Sequence, residues 1–218
     1  IGIVFVIAFF CFFGVYGCDV IGPGHVGIKV NLYGEQKGVQ NYTLRTGAVW
    51  YNRFTDQVYE FPTFMQNAVW TKSSDEGSPT DESVTFNSIE GAEVNTDVSL
   101  SYQIQREKVP TIFIELRQDA VYITHTYMRA KTRDVINRLA SSMKVTDIFG
   151  EKKQELLLNI KKELDRELAD KGFVIDMIAF IGKMRVDPKV EESINSTISA
   201  SQKAIEAQNK VVQSKAEA

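Results

Sequence analysis

Distinct hydrophobic rhythms follow one another along this chain, and each predicts an element. The stretch from Ile1 to Tyr16, IGIVFVIAFFCFFGVY, holds no charged residue and no proline. As a helix it reaches ~25 Å, against a hydrocarbon core of ~30 Å, and the opening on Ile rather than Met points to further residues upstream. Within lipid a backbone has to satisfy its own hydrogen bonds, so a single membrane helix is the predicted form. A cleaved leader is the competing reading, because Val15-Tyr16-Gly17-Cys18 puts a small residue before a cysteine, as lipoprotein processing at Cys18 would require.

Beyond the apolar stretch the rhythm shortens. Val26 to Leu32 reads as a strand, and from Ala48 to Thr71 short strands carry the aromatics Trp50, Tyr51, Phe54, Tyr59, Phe61, Phe64 and Trp70. A small β core accounts for most of these rings. A sharper expectation is that Trp50, Tyr51, Phe54 and Trp70 are membrane-proximal and sit at the level of the lipid headgroups, where amphipathic aromatics are favoured. Lys72 to Glu82 is polar, acidic and punctuated by Gly77 and Pro79, which predicts a loop. The clearest alternation comes next. Ala92, Val94, Thr96, Val98, Leu100, Tyr102 and Ile104 share one face, and polar residues from Glu93 to Gln105 share the other, so a long half-buried strand is expected.

After Pro110 the period becomes helical. Asp119 can cap a helix with the stripe Val121, His125, Met128, Thr132, Val135, Ile136 and Leu139. Glu151 to Lys171 repeats the pattern with Leu157, Ile160, Leu164 and Leu168, and Gly172 stands where a left-handed cap belongs. Phe173 to Ile181 is then a short buried strand, which makes the second half α+β, with two strands backed by two helices. Asp187-Pro188 opens a last helix running to Ala218, along which Ile198, Ile205 and Val212 recur every seventh residue and Ile194 precedes them by four. Ile194, Ile198, Ile205 and Val212 are therefore the candidate oligomerisation residues, since a solitary helix this polar is marginal in water.

Composition narrows the function. With 218 residues, 44% hydrophobic, and a net charge of -3, the chain has room for an anchor and one or two small cored units but lacks the concentrated positive face that nucleic acid requires. Its two cysteines, Cys11 and Cys18, both fall in or beside the apolar stretch, so the remainder is not a disulfide scaffold. Gly22-Pro23-Gly24-His25-Val26-Gly27 spells G-x-G-x-x-G, yet it precedes a strand rather than a helix and reads as a turn leaving the membrane. His25 reads as a solvated turn residue and His125 as a hydrogen-bonded core or interface residue. No catalytic residue, metal set or cofactor is assigned.

The order of these parts resembles the stomatin/prohibitin/flotillin superfamily, the SPFH or band 7 proteins, from about Gly22 to the end. Carrying the likeness are Pro23-Gly24-His25-Val26-Gly27, Val58-Tyr59-Glu60-Phe61-Pro62-Thr63 and Glu90-Gly91-Ala92-Glu93-Val94. In the second half it rests on Arg133-Asp134-Val135-Ile136, Asp147-Ile148-Phe149-Gly150-Glu151 and Gly172-Phe173-Val174-Ile175. The prohibitin and bacterial protease-regulator branches are nearest, and the loop Lys72–Glu82 departs from the usual pattern. The resemblance implies an α+β chain with a transmembrane anchor at 1–18, a β-rich SPFH1 subdomain at 19–91, an SPFH2 subdomain at 92–187 and the start of a long coiled-coil helix at 188–218. It further implies a non-enzymatic scaffold whose partners are membrane lipid, many copies of itself or a homologous subunit, and a membrane AAA protease. Such scaffolds form rings or cages around a membrane microdomain, in the bacterial inner membrane with a periplasmic domain or in the mitochondrial inner membrane. The alternative is a monomeric or small-oligomer membrane-tethered adaptor, either anchored by its apolar stretch or a lipoprotein acylated at Cys18, that binds a partner through its acidic loop.

Overall fold

Strands come first and helices later, in keeping with the change of period along the sequence. The computed structural model describes residues 15–33 and 44–216. Eight strands lead: β1 (Tyr16–Ile21), β2 (His25–Asn31), β3 (Leu44–Arg45), β4 (Gly47–Asn52), β5 (Asp56–Pro62), β6 (Gln66–Trp70), β7 (Val84–Asn87) and β8 (Glu93–Ile104). Helices α1 (Val109–Leu116) and α2 (Ala120–Tyr122), a π-helical turn (Ile123–Met128), α3 (Arg129–Ala140), α4 (Val145–Phe149) and α5 (Lys153–Leu168) come after them. The chain then runs through β9 (Phe173–Val186) into α6 (Pro188–Ala216). β1 and β4 form an antiparallel ribbon, β3-β2-β5 a three-stranded sheet, and β6-β8-β7 a sheet in which β9 also pairs with β8.

Two compact units emerge, each drawn from three stretches of sequence. One takes the described residues of Ile1–Ala68, Leu100–Arg129 and Asp165–Met177; the other takes those of Val69–Ser99, Ala130–Leu164 and Ile178–Ala218. They interleave, whereas the expected subdomains 19–91 and 92–187 are consecutive. The cause is the length of β8 and β9, which have 12 and 14 residues and supply one end to each unit.

In the first unit β2 pairs with β5 from His25↔Pro62 to Asn31↔Asp56. Alternation on β2 buries Val26, Ile28 and Val30. Phe61 meets Phe113 of α1 edge-on at 6.1 Å, and Tyr59 lies 4.6 Å from the same ring. Gly24, at φ +78, makes the turn between β1 and β2, with His25 N–H donating to the Gly22 carbonyl at 3.2 Å. The glycine pattern thus joins strand to strand, and there is no helix N-terminus here to receive a pyrophosphate.

The second unit pairs β7 with β8 from Val84↔Thr96 to Asn87↔Glu93, and stacks Phe86 on Phe180 of β9 at 6.2 Å. Its helix α5 buries Leu156, Leu157, Ile160 and Leu164, as the 3-and-4 spacing predicts. The expected loop is there, closed at its base by Glu82 N–H donating to the Thr71 carbonyl at 3.0 Å. Asp187 Oδ1 accepts from Lys189 N at 2.9 Å and so caps α6.

Several expectations need correction. Most of the expected anchor lies outside the described residues, but Tyr16–Cys18 belong to β1, where backbone pairing with Asn52, Tyr51 and Trp50 supplies a ladder in place of helical hydrogen bonds. No helix among the described residues is long and apolar enough to cross a membrane. β9 extends five residues past the expected end at Ile181, through Gly182 at φ +64, because the strand tolerates a glycine where the apolar run stops. The stripe beginning at Val121 and His125 is also out of phase: Val121 is exposed and Ile123 is buried. A π turn takes one residue more than an α turn, which rotates the residues before it relative to those after it. From Met128 onward Thr132, Val135 and Ile136 are buried as expected.

Candidate functional site

Two surfaces, one in each unit, carry the residues singled out by sequence. The first is the β1–β4 ribbon. Because successive side chains point to opposite faces, Tyr16, Cys18 and Val20 share a face with their register partners Asn52, Trp50 and Ala48. That face is open: Tyr16, Cys18, Val20, Ala48 and Trp50 are all exposed, Trp50 at 61%. The opposite face turns Ile21 and Val49 into the core. Phe54, in the turn after β4, is 67% exposed, and its amide donates to Asn52 Oδ1 at 2.9 Å, so the turn that presents the ring is hydrogen-bonded. Tyr51 points to the other side of the ribbon and is half-buried; its hydrogen bond to the Asp19 carboxylate raises the phenol above its ordinary pKa.

Trp70 does not belong with these rings. It is 0% exposed in the core of the second unit, so its indole cannot reach a headgroup layer. Its place on the open surface is taken by Tyr16 and Val20, which sequence reasoning missed. The alternation Tyr16-x-Cys18-x-Val20 was the available signal, hidden because it continues directly from the apolar stretch.

The second surface is α6. Ile194 is buried within its own unit at 4% exposure, so it contributes to the core. Beyond it the helix has no cover: every side chain from Asn195 to Lys210 is exposed, with Ile198 at 39% and Ile205 at 52%. Val212 lies further along the same helix, with its side chain outside the described residues.

At the base of α6 a groove of about 620 Å³ opens between the β7–β8 turn, the start of α4 and the first turns of α6. Ala92, Val145, Val190 and Ile194 line it with apolar surface, and Lys144 and Lys189 add charge. Glu90 Oε2 accepts from Val145 N at 2.9 Å. Partial burial pushes the Glu90 carboxyl up, but this amide, the Ser88 hydroxyl and nearby Lys144 outweigh it and hold the group below the ordinary carboxylate range.

His25 Nδ1 lies 3.3 Å from the Pro23 carbonyl and 3.9 Å from Glu60 Oε1, with its ring edge-on to Phe64. His125 is half-buried within the π turn. Among the described residues no group of three or more His, Cys, Asp or Glu side chains is placed to hold a metal ion.

The sequence model of the SPFH domain / Band 7 family matches residues 19–218. The chain belongs to that family. Members of the SPFH family are generally membrane-associated, non-enzymatic scaffolds that oligomerise. No curated protein matches the chain.

Proposed function

We propose that this SPFH protein is a non-enzymatic scaffold held at a membrane by the residues preceding β1, and that many copies join through α6 into a ring or cage. The ring encloses a patch of bilayer and governs which membrane partners, such as an AAA protease, gain access to it. The observation that carries this reading is the uncovered stretch of α6 from Asn195 to Lys210. A helix that polar is marginal alone, and its exposed Ile198 and Ile205 gain most when a neighbour covers them. One anchor and one such helix per copy favour lateral, head-to-tail contacts, which close into rings when the rotation permits. The open ribbon, with Trp50, Phe54 and Tyr16, supports placement of the first unit against the headgroups.

In its lipoprotein form, cleaved before Cys18, the rival adaptor would lose Tyr16 and Gly17, whose backbone pairs with Asn52 and Tyr51. That ladder favours an uncleaved chain. Replacing Ile198 and Ile205 together by Asp in the full-length protein, extracted in mild detergent, is expected to turn a large particle into single copies by size-exclusion chromatography with light scattering. An unchanged particle mass would remove α6 from the account, and a wild-type protein that runs as one copy would favour the adaptor.

A further inference from the structure

The acidic loop after β6 lies outside α6, and its own hydrogen bonds hold it in shape. Thr71 Oγ1 lies 2.9 Å and 2.6 Å from the carbonyls of Ser73 and Glu76, and Lys72 N donates to Asp97 Oδ1 at 3.0 Å. Ser83 holds Asp81 through its amide at 2.9 Å and its hydroxyl at 2.6 Å. Gly77, at φ +84, lets the loop fold back so closely that an added Cβ would stand 2.7 Å from the Val69 carbonyl. A compact, self-bonded loop loses little freedom on binding. At its tip Asp75 and Glu76 are exposed and make no ion pair within the described residues.

The groove at the base of α6 is its complement. Lys144 and Lys189 line it and likewise make no ion pair within the described residues, while Glu90, the carboxylate in the lining, is engaged by the Val145 amide. Val190 and Ile194 in the groove stand at four-residue steps from Ile198, so the apolar lining continues along α6 into its exposed stripe. In a ring whose α6 helices run parallel, the second unit of one copy stands beside the second unit of the next. Loop and groove both belong to that unit.

We propose that the loop Ser73–Asp81 of one copy seats in the groove of its neighbour, with Asp75 and Glu76 paired to Lys144 and Lys189. This rests on the proposed assembly through α6 and names its second contact. The contact is heterologous, since the surface that gives differs from the surface that receives, and it sets the direction of the ring. Charge at the rim also selects the partner subunit against chains lacking either patch.

The test uses the full-length protein in mild detergent at low salt. Lys144→Glu with Lys189→Glu, and separately Asp75→Lys with Glu76→Lys, should each cause loss of the large particle or release of single copies at lower salt than wild type. Combining all four changes should restore it. In a Cys11→Ser, Cys18→Ser background, differently tagged copies carrying Glu76→Cys and Lys189→Cys should form a mixed disulfide dimer on oxidation. Particles that survive both reversals and yield no mixed dimer, while Ile198→Asp with Ile205→Asp still dissociates them, overturn the loop contact and leave the scaffold standing. A wild-type protein found as single copies overturns both.

Discussion

Arg185 on β9 grips Asp97 on β8 with both terminal nitrogens, at 2.9 Å and 2.6 Å, and its Nε donates to Asn95 at 2.7 Å. The pair ties the two long strands together within the second unit, and the same carboxylate receives the Lys72 amide where the acidic loop begins. Such a fork-to-fork contact has the geometry that makes arginine irreplaceable by lysine. The Arg185 guanidinium, ahead of an opposing desolvation effect, holds the Asp97 carboxyl below its ordinary range. Its contribution to stability is therefore complete above the unfolded value of about 4 and is lost as pH falls through the lower folded value. Asp97→Asn should cost about 2 kcal/mol near neutral pH, discounted from a fully buried pair because Arg185 is a third exposed. The urea midpoint measured at neutral pH and again near pH 3 checks this: the deficit should shrink on acidification, and a constant deficit would assign the effect to packing.

Gly172 sits at φ +93 between α5 and β9, and its carbonyl accepts from Gln105 N at 2.8 Å. A Cβ there would stand 2.1 Å from Lys108 Cβ, which is part of the side chain too close to the backbone to swing away. Gly172→Ala is expected to destabilise by roughly 2 kcal/mol or more, from the left-handed backbone and the overlap together. Lys108→Gly in the same chain should recover the steric share alone, and thermal unfolding of the single and double variants separates the two contributions.

Thr132 is fully buried on α3, yet its hydroxyl finds no hydrogen-bond partner among the described residues. Replacing it with Val keeps the shape and removes a donor and acceptor that water no longer reaches. Thr132→Val should stabilise by about 1 kcal/mol, whereas Thr132→Ala, which leaves a void, should not. Equilibrium unfolding in urea distinguishes these, and destabilisation by Val would mean that the hydroxyl is satisfied in solution.

The two tryptophans form an internal control for membrane contact, since Trp50 is open and Trp70 is in the core. In vesicles whose lipids carry bromine near the headgroup, emission from a Trp70→Phe chain, which reports Trp50, should be quenched. A Trp50→Phe chain should be nearly unaffected. Equal quenching, or none in either variant, would take the ribbon away from the bilayer.

Alternation made β8 plain: from Val94 to Ile104 the residues expected inside are inside, because a half-buried strand has only one way to divide its faces. Asp119 capping Tyr122 N at 2.8 Å, and Asp187 opening α6, were legible for a similar local reason. The π turn at Ile123–Met128 was not. Within it the Thr124 hydroxyl lies 2.5 Å from the Tyr102 hydroxyl on β8, a partner 22 residues away that no helical period announces. Of the candidate surface residues, Trp50 and Phe54 proved exposed and Trp70 did not, although all three stand in the same aromatic run. Charge and hydropathy cannot tell a ring turned outward from one turned inward on a short strand.

By itself, then, the sequence determined what depends on neighbours along the chain: the strand-to-helix order, the caps, the loop and the SPFH family that these motifs spell. Tertiary structure alone decided what depends on partners distant in sequence: the interleaving of two units, the phase of α2 and α3, the burial of Ile194 and the Arg185–Asp97 clasp 88 residues apart. Local preferences act over a turn or a strand, while burial is settled only when remote segments compete for the same core.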